Sequence, residues 1–379
     1  MLEITGKNGA TTILSKRTQN ILETSGTIRF LSDCDESVGM CAKRAFARAH
    51  ILRMKRRKFL AVSTTAAASL ALPRFAFSKS SNSGRSVSMD AAWYQKNRRY
   101  AALPMCKVAY VEHGRGPAAL FLHGLTLNGY QWRGALEHLG DHRRCIAPDF
   151  MSMGFTETLE QQNITPDTQA AMLAALLDDL HIKKVDLVAN DSGGMVAQVF
   201  VAQYSERVRS LLLTNCDVDE NNPPKNFVPA VELAKKGLFA ENFLLPQLKD
   251  KQLARTGKGM IGSVYTYPER LTDETIEIYF GQVCQSKLRM SQMDQYTVSL
   301  GANELVDLRE KLRAWKGPAR MVWALKDEFF PVQWADWLDK NLTNSKGVRR
   351  LEEAKLFFPE EMPDVIAEEA VSLWAKART

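Results

Sequence analysis

The chain of 379 residues is 45% hydrophobic and 25% charged, which is typical of a globular protein with one large or two average domains. Its formal charge of +7 comes from residues 1–78, here called the leader, which hold 13 basic and 5 acidic side chains. The remaining residues hold 37 basic and 38 acidic side chains. Because no basic excess remains outside this leader, nucleic-acid binding is excluded as a function.

The leader contains a segment, residues 54–78, that resembles a twin-arginine export signal. Arg56 and Arg57 precede a weakly apolar run over residues 61–72, and a plausible processing site follows at residues 76–78. The run is shorter than the about 20 apolar residues of a membrane-spanning helix, so we predict no stable membrane span in the mature chain. A basic helix end that precedes a buried helix is the alternative interpretation.

This signal predicts an exported, periplasmic protein that starts at Met54, with residues 1–53 as an upstream extension outside the mature protein. The polar residues that follow, 79–99, are predicted to form a linker and N-terminal segment. The six cysteines show neither paired nor metal-like spacing, so we expect free thiols and no disulfide framework.

From Lys107 onwards, short apolar runs typical of strands alternate with longer runs of helical spacing. Strands are predicted at residues 107–113, 118–124, 144–150, 183–190, 208–215, 319–325 and 347–353. Helices are predicted at residues 129–139, 166–180, 193–204, 332–342 and 361–376. Continuous apolar strands that alternate with helices predict an α/β fold with a mostly parallel, doubly wound sheet covered on both faces.

Residues 220–312 break this alternation, because they contain two long helical stretches and no strand of comparable quality. We predict that they form a helical cap inserted after the sixth strand of a core made by residues 100–219 and 313–379. Ligand sites of open parallel sheets lie at the carboxyl ends of the strands, so a cap placed there encloses a pocket.

The stretch LVANDSGG, residues 187–194, has the pattern of a nucleophile elbow, in which a strand turns sharply into a helix and needs small neighbours. With Asp191 at the tip, the residues two positions away are Ala189 and Gly193, which are both small. With Ser192 at the tip, one of them is the bulkier Asn190. We therefore assign Asp191 to the tip; an ordinary helix cap at Asp191 is the alternative.

Three further motifs accompany the elbow: His123-Gly124 followed by Trp132-Arg133, the strand and turn RCIAPDFMSMGFTE, and the strand end WALKDEFFP with Asp327. Together they resemble the α/β-hydrolase superfamily, and within it the haloalkane dehalogenase and epoxide hydrolase branch that uses an aspartate nucleophile. The resemblance extends from about Tyr100 to Trp374.

The resemblance implies that Asp191 attacks a carbon atom of the substrate and forms an alkyl-enzyme ester. It implies that the backbone N–H groups of Leu125 and Ser192 form the oxyanion hole and that Asp327 is the acid that orients a histidine. It also implies a small, mostly apolar substrate, and neither a cofactor nor a metal.

Four further residues are candidates for substrate binding, and each has a structural alternative. His123 can instead hydrogen-bond within its loop, and Trp132 can instead pack in the core. Tyr265 and Tyr267 lie in the predicted cap, where tyrosines also pack as amphipathic side chains.

The leaving group is less clearly indicated. The dehalogenases of the resembled branch usually bind the halide through a tryptophan after the nucleophile and a second donor, and here Ser192 and Leu125 occupy those places. Epoxide opening needs cap tyrosines that donate to the ring oxygen. The candidates are Tyr265, Tyr267, Tyr279 and Tyr296.

The general base of the resembled branch is missing, since its expected histidine position, before the last helix, falls on Leu356. A positioned base contributes about 10²–10⁴-fold to rate. Three alternatives remain: Lys355 with a lowered pKa, an acid/base pair of Asp191 and Asp327, or a protein that binds or signals without catalysis. The six histidines are His50, His113, His123, His138, His142 and His181.

Overall fold

The computed structural model describes residues 2–5, 11–14, 89–302 and 304–377. Strands β1 (Leu2–Thr5) and β2 (Thr11–Leu14) pair antiparallel within the first of two compact units, which ends at Asn82. The predicted export signal and most of the predicted upstream extension lie outside the described residues, so both stay predictions.

In the second unit, nine strands of the described residues form one sheet in the order β11-β10-β9-β8-β5-β6-β4-β3, with β7 beside β4. The six strands from β11 to β6 in this order are parallel, whereas β3, β4 and β7 pair antiparallel at one edge. The predicted mostly parallel α/β sheet is therefore confirmed. The strands are β3 (Arg99–Ala102), β4 (Cys106–His113), β5 (Ala118–Leu122), β6 (Arg144–Pro148), β7 (Glu157–Thr158), β8 (Val185–Asp191), β9 (Val208–Cys216), β10 (Ala319–Ala324) and β11 (Ser345–Leu351).

Helices flank the sheet strands at the predicted places, and further helices fill the segment between β9 and β10. In chain order the helices are α1 (Ala91–Lys96), α2 (Arg133–Leu139), α3 (Pro166–Asp179), α4 (Ser192–Gln203), α5 (Val228–Ala234), α6 (Leu245–Lys249), α7 (Lys251–Ala254), α8 (Met260–Val264), α9 (Asp273–Cys284), α10 (Lys287–Ser299), α11 (Arg309–Ala314), α12 (Gln333–Asn341), α13 (Phe358–Glu361) and α14 (Pro363–Lys376). A 3₁₀ turn, Gly129–Trp132, precedes α2. Within the described part of the chain, no helix is long and apolar enough to cross a membrane.

The α1 helix lies in the segment that the sequence predicts as a linker and N-terminal segment. Asp90 caps the helix by accepting a hydrogen bond from the Trp93 backbone N–H at 2.8 Å. The buried Tyr94 hydroxyl donates to Asp149 Oδ1 at 2.8 Å and so fixes the helix to the core. A six-residue helix is too short for its apolar residues to show a helical period in the sequence, so the helix is recognised only in the structure.

The segment 220–312, here called the helical insertion, contains no strand among its described residues, which exclude Asn303. Each of its two predicted long helices is broken. Pro246 lies in the first turn of α6, which follows a π-helical turn. Ser286 caps α10 by accepting a hydrogen bond from the Arg289 N–H at 3.2 Å. The insertion contacts the loops after the core strands, because Asn128 Nδ2 donates to the Ile278 carbonyl at 2.8 Å. Its extent as a separate cap stays a prediction.

The start of α4 packs directly on the end of β5, and this close approach requires a glycine. A Cβ atom at Gly193 would lie 2.4 Å from the carbonyl oxygen of Leu122 and 2.5 Å from that of His123. Neither backbone oxygen can move without displacing the central strand, so the sequence pattern Ser-Gly-Gly has a packing reason.

We predict that Gly193→Ala lowers the free energy of unfolding by about 1–3 kcal/mol or more, because the methyl group overlaps backbone atoms. Denaturant unfolding of the two proteins measures the effect. The matched control is Gly257→Ala, where an added Cβ meets no atom within 4 Å and stability should be retained. Equal effects of the two substitutions would contradict this packing argument.

Candidate active site

The site begins at the bend where β8 meets α4. Asp191 sits at the tip with φ 55° and ψ −131°, a backbone conformation that a non-glycine residue adopts only when its surroundings impose it. It pairs across the sheet with Cys216, the last residue of β9. The strand, bend and helix expected for residues 187–194 are therefore present, with the carboxyl group of Asp191 at the carboxyl edge of the sheet.

Two backbone N–H groups hold one side of the Asp191 carboxyl group. The Leu125 N–H donates to Oδ2 at 2.7 Å, and the Ser192 N–H also donates to the carboxyl group. Burial raises the pKa of Asp191 to about 7, the charge of Asp327 adds to this rise, and the two hydrogen bonds partly oppose it. The pKa of the carboxyl group thus lies close to neutral pH.

A relay of side-chain amides joins the elbow to the loops on either side of it. Gln131 accepts from the Gly124 N–H at 3.0 Å and donates to Asn190 Oδ1 at 2.8 Å. Asn190 Nδ2 donates to the Leu356 carbonyl at 3.1 Å and to Thr214 Oγ1 at 2.8 Å. The sequence interpretation missed these roles of Gln131 and Asn190; the signal was two polar residues in stretches that are otherwise buried.

A cavity of about 300 Å³ lies over the elbow, at the lower end of the volumes usual for small-molecule sites. Leu125, Asp191 and Ser192 line it, as expected for the predicted nucleophile and oxyanion hole. Most of its other walls are apolar. Six of these apolar residues are Phe227, Phe239, Phe243 and Leu300 from the helical insertion, and Phe330 and Leu356 from the core.

The position expected for the histidine is an apolar part of the cavity wall. Leu356 and the following Phe357 both line the cavity and are buried. Lys355 does not line it, and its ammonium group donates to the Ser263 carbonyl at 3.0 Å. The structure therefore directs Lys355 away from Asp191.

His123 is held inside its loop by both ring nitrogens. Its Nε2 accepts from the Phe150 N–H at 3.0 Å, and its Nδ1 donates to the Gly124 carbonyl at 2.8 Å. Burial lowers the pKa of His123 to about 4, so the ring is neutral. We assign it to loop support rather than substrate binding. No histidine of the described residues lines the cavity, and His50 lies outside them.

The other three predicted substrate-binding residues also lie outside the cavity lining. Trp132 is buried against Phe121, with ring centroids 5.6 Å apart. The Tyr265 hydroxyl donates to Glu360. Tyr267 is partly exposed. The structure thus brings Leu125, Asp191 and Ser192 together at the cavity. It places Trp132 and Tyr265 in buried contacts and leaves Tyr267 exposed.

Asp327 lies behind the cavity wall. Its carboxyl group accepts from Asn215 Nδ2 and from the Phe329 N–H, each at 2.8 Å. Burial raises the pKa of Asp327 to about 6, and these hydrogen bonds oppose the rise. Asp327 does not line the cavity, but its charge raises the pKa of Asp191.

Asp217 is a buried carboxyl group that does line the cavity, and the sequence interpretation missed it. It follows Cys216 and accepts from Asn222 Nδ2 at 3.1 Å. Burial and then the charge of Asp191 raise the pKa of Asp217 to about 8. Its place directly after a predicted strand was the available signal, but the strand order that sets it beside Asp191 was not readable.

Comparisons with known proteins identify the family to which this chain belongs. Residues 117–360 match the α/β hydrolase fold family. The 2-hydroxy-6-oxo-2,4-heptadienoate hydrolase of Pseudomonas putida is 38% identical over 101 residues, which are 27% of this chain and 34% of that protein. Haloalkane dehalogenase 2 of Mycobacterium tuberculosis is 25% identical over 126 residues, 33% of this chain and 42% of that protein.

Each match spans less than half of the curated relative's length. Among solved structures, the epoxide hydrolase CorEH without ligand aligns with a TM-score of 0.60 at 19% identity, over 74% of this chain and 98% of that chain. At this identity the structural likeness shows the shared fold.

The raised pKa of Asp191 predicts a pH-dependent stability. Between its ordinary value of 3.8 and about 7, the folded state keeps a proton that the unfolded chain has released. The free energy of unfolding therefore falls as pH rises through this window and is constant above it. In Asp191→Asn, which does not titrate, this part of the fall should be absent, which gives a relative gain of up to about 4 kcal/mol at pH 8.

Thermal and denaturant unfolding at pH 4 and pH 8 measure this difference. Glu137→Gln removes an exposed carboxyl group and serves as the control, with an expected pH dependence like that of the wild type. An Asp191→Asn protein whose stability falls with pH as steeply as the wild type would contradict the assigned burial effect.

Proposed function

The chain belongs to the α/β hydrolase fold family, and we propose that within it this protein is a hydrolase in which Asp191 attacks a small, mostly apolar electrophile. One observation carries the proposal. The Asp191 carboxyl group sits on a strained bend, with Oδ2 held by the Leu125 N–H at 2.7 Å, at the floor of an apolar cavity. A purely structural aspartate does not require that conformation.

The two carboxyl oxygens have different tasks in this proposal. With Oδ2 held by the Leu125 N–H, Oδ1 attacks the substrate carbon, the bond to the leaving atom breaks, and an ester forms on Asp191. When water then attacks the carboxyl carbon of that ester, negative charge develops on Oδ2. The N–H groups of Leu125 and Ser192 are already in place to stabilise this charge.

The cavity walls favour a mostly apolar substrate, since Phe227, Phe239 and Phe243 of the helical insertion line the cavity together with Asp191. One basic residue, Lys258, also lines the cavity. The names of two similar proteins, a haloalkane dehalogenase and an epoxide hydrolase, support an electrophilic carbon as the target. Aromatic donors do not separate a halide from a ring oxygen as the leaving atom, because neither a tryptophan nor a tyrosine of the described residues lines the cavity.

We predict that the wild-type protein, incubated with an alkyl halide, an epoxide or an activated ester, gains the mass of one alkyl or acyl group on Asp191. Intact-mass spectrometry followed by peptide mapping measures the adduct and its position. Asp191→Asn should show no adduct, because an amide oxygen is a poor nucleophile. If the wild type shows no adduct on Asp191 with any of these probes, the proposed covalent chemistry is wrong.

A second candidate function is ligand binding or signalling without turnover, and the apolar wall at Leu356 favours it. In this alternative the cavity holds a small apolar molecule, and the absence of an imidazole beside Asp191 reflects lost catalysis. The fully hydrogen-bonded His123 cannot replace that base.

The substitution Leu356→His separates the two candidates. If the wild type forms an ester on Asp191, a histidine at this cavity-lining position should speed the release of that ester by about 10²–10⁴-fold. Single-turnover kinetics by mass spectrometry give the release rate, and Leu356→Gln, a polar side chain that is a poor base, is the control. Turnover in Leu356→His together with no adduct in the wild type would favour the binding protein instead.

A further inference from the structure

A second carboxyl group faces the cavity beside the proposed nucleophile. Cys216 of β9 pairs with Asp191 of β8 across the sheet, so Asp217 follows at the same carboxyl edge. Both carboxyl groups line the cavity, and they are only 5% and 9% exposed for Asp217 and Asp191. Two carboxyl groups that share one small, mostly apolar cavity are the arrangement that acid/base chemistry uses.

We propose that Asp217 first donates a proton to the leaving atom and then accepts one from the attacking water, so that the substrate carries an oxygen leaving atom, as in an epoxide. This inference rests on the proposed function, because it adds a proton-transfer residue and a substrate class to the attack by Asp191.

The surroundings keep Asp217 protonated while Asp191 is ionised. The pKa of Asp217 is raised to about 8, and burial is the largest cause. The charge of Asp191 contributes to this rise, and the charge of Asp327 contributes less. The hydrogen bond from Asn222 Nδ2 opposes the rise. Burial disfavours ionising both carboxyl groups at once, so the pair retains one proton. The backbone N–H groups of Leu125 and Ser192 donate to Asp191 and stabilise its charge, which favours the proton on Asp217.

Asp327 is a charged neighbour that raises the pKa of Asp217, whereas two further titratable groups near Asp217 stay neutral. Burial raises the pKa of the Cys216 thiol well above its ordinary value, and burial also raises the pKa of the Tyr296 phenol. Neither group competes for the proton at neutral pH. The proton is thus exchanged between Asp217, the substrate and water.

The first step balances with this single proton. Asp191 Oδ1 bonds to one ring carbon of the epoxide, the carbon–oxygen bond of that carbon breaks, and its electron pair stays on the oxygen. Asp217 transfers its proton to that oxygen, which becomes a hydroxyl group. The products are a hydroxyalkyl ester on Asp191 and an ionised Asp217.

Ester formation also changes the electrostatics of the pair. Once Asp191 is an uncharged ester, the charge that raised the pKa of Asp217 is gone, so that pKa falls. Asp217 is then ionised when it is needed as a base. Asp217 takes one proton from water as the water oxygen bonds to the carbonyl carbon of the ester. The bond between that carbon and the alkoxy oxygen then breaks, and Asp217 gives its proton to the leaving oxygen, so that a diol is released. The second water proton remains on the Asp191 carboxyl group and passes to Asp217, which restores an ionised Asp191 and a protonated Asp217.

This chemistry distinguishes oxygen from halogen leaving atoms. An alkoxide is a poor leaving group that needs a proton, whereas bromide leaves as a stable anion without one. Asp327 is less suited to the donor role, because its oxygens accept hydrogen bonds from Asn215 and Phe329 and it does not line the cavity.

The test compares two probes with the same carbon skeleton, styrene oxide and 2-phenylethyl bromide, on the full-length wild type and Asp217→Asn. We expect the substitution to slow ester formation on Asp191 from the epoxide by about 10²–10⁴-fold and to leave ester formation from the bromide within about threefold. The ester formed from the bromide should also persist longer in Asp217→Asn, because its release has lost the base.

The pH profile gives a readout that needs no variant. In the wild type, ester formation from the epoxide should rise with an acidic limb near pH 7 and fall with an alkaline limb near pH 8, whereas the bromide profile should show only the acidic limb. In Asp217→Asn the alkaline limb of the epoxide profile should disappear.

Glu304→Gln is the matched control, since Glu304 is a partly buried carboxyl group with a raised pKa that does not line the cavity. It should keep both rates. Equal slowing of the two probes by Asp217→Asn, no slowing of either, or a missing alkaline limb for the epoxide in the wild type would each overturn the role of Asp217. No ester on Asp191 from either probe would instead overturn the proposed function, and this inference with it.

Discussion

The hydrogen bond from the Leu125 N–H to Asp191 Oδ2 joins the loop after β5 to the tip of β8, and the geometry of the site depends on it. A hydrogen bond to a charged group contributes about 1.5–3 kcal/mol, and it acts here against the cost of burying a carboxylate. The effect of burial on the pKa exceeds that of the hydrogen bonds, because the pKa of Asp191 is raised to about 7 despite the two backbone donors. The carboxyl group is thus fixed in position, and its pKa lies close to neutral pH.

Three buried carboxyl groups in and behind the cavity wall are electrostatically coupled. Asp191, Asp217 and Asp327 have pKa values raised to about 7, 8 and 6, with burial as the largest cause for each. In such surroundings the charge of one group changes the proton affinity of the next, so covalent modification of Asp191 would change the pKa of Asp217. In the proposed mechanism this coupling lets Asp217 first donate and then accept a proton at a cavity that no histidine of the described residues lines.

Side-chain amides hold the segment at Leu356, where the family resemblance implies a histidine. Asn190 donates to the carbonyl of Leu356, and Gln131 links Asn190 to the loop that holds Leu125. The segment therefore has a defined place in the cavity wall, although the Leu356 side chain can neither donate nor accept a proton.

The sequence by itself determined the mostly parallel α/β sheet and the sharp bend at Asp191, because strand patterns and small-residue requirements are local. The family resemblance added Leu125 and Ser192 as candidate residues, and both line the cavity. Tertiary structure alone decided which side chains face the cavity. It gave His123, Trp132 and Tyr265 packing contacts, and it set Asp217 beside Asp191 through the pairing of β8 with β9. Strand order and burial arise from contacts between distant residues, and no local pattern encodes them.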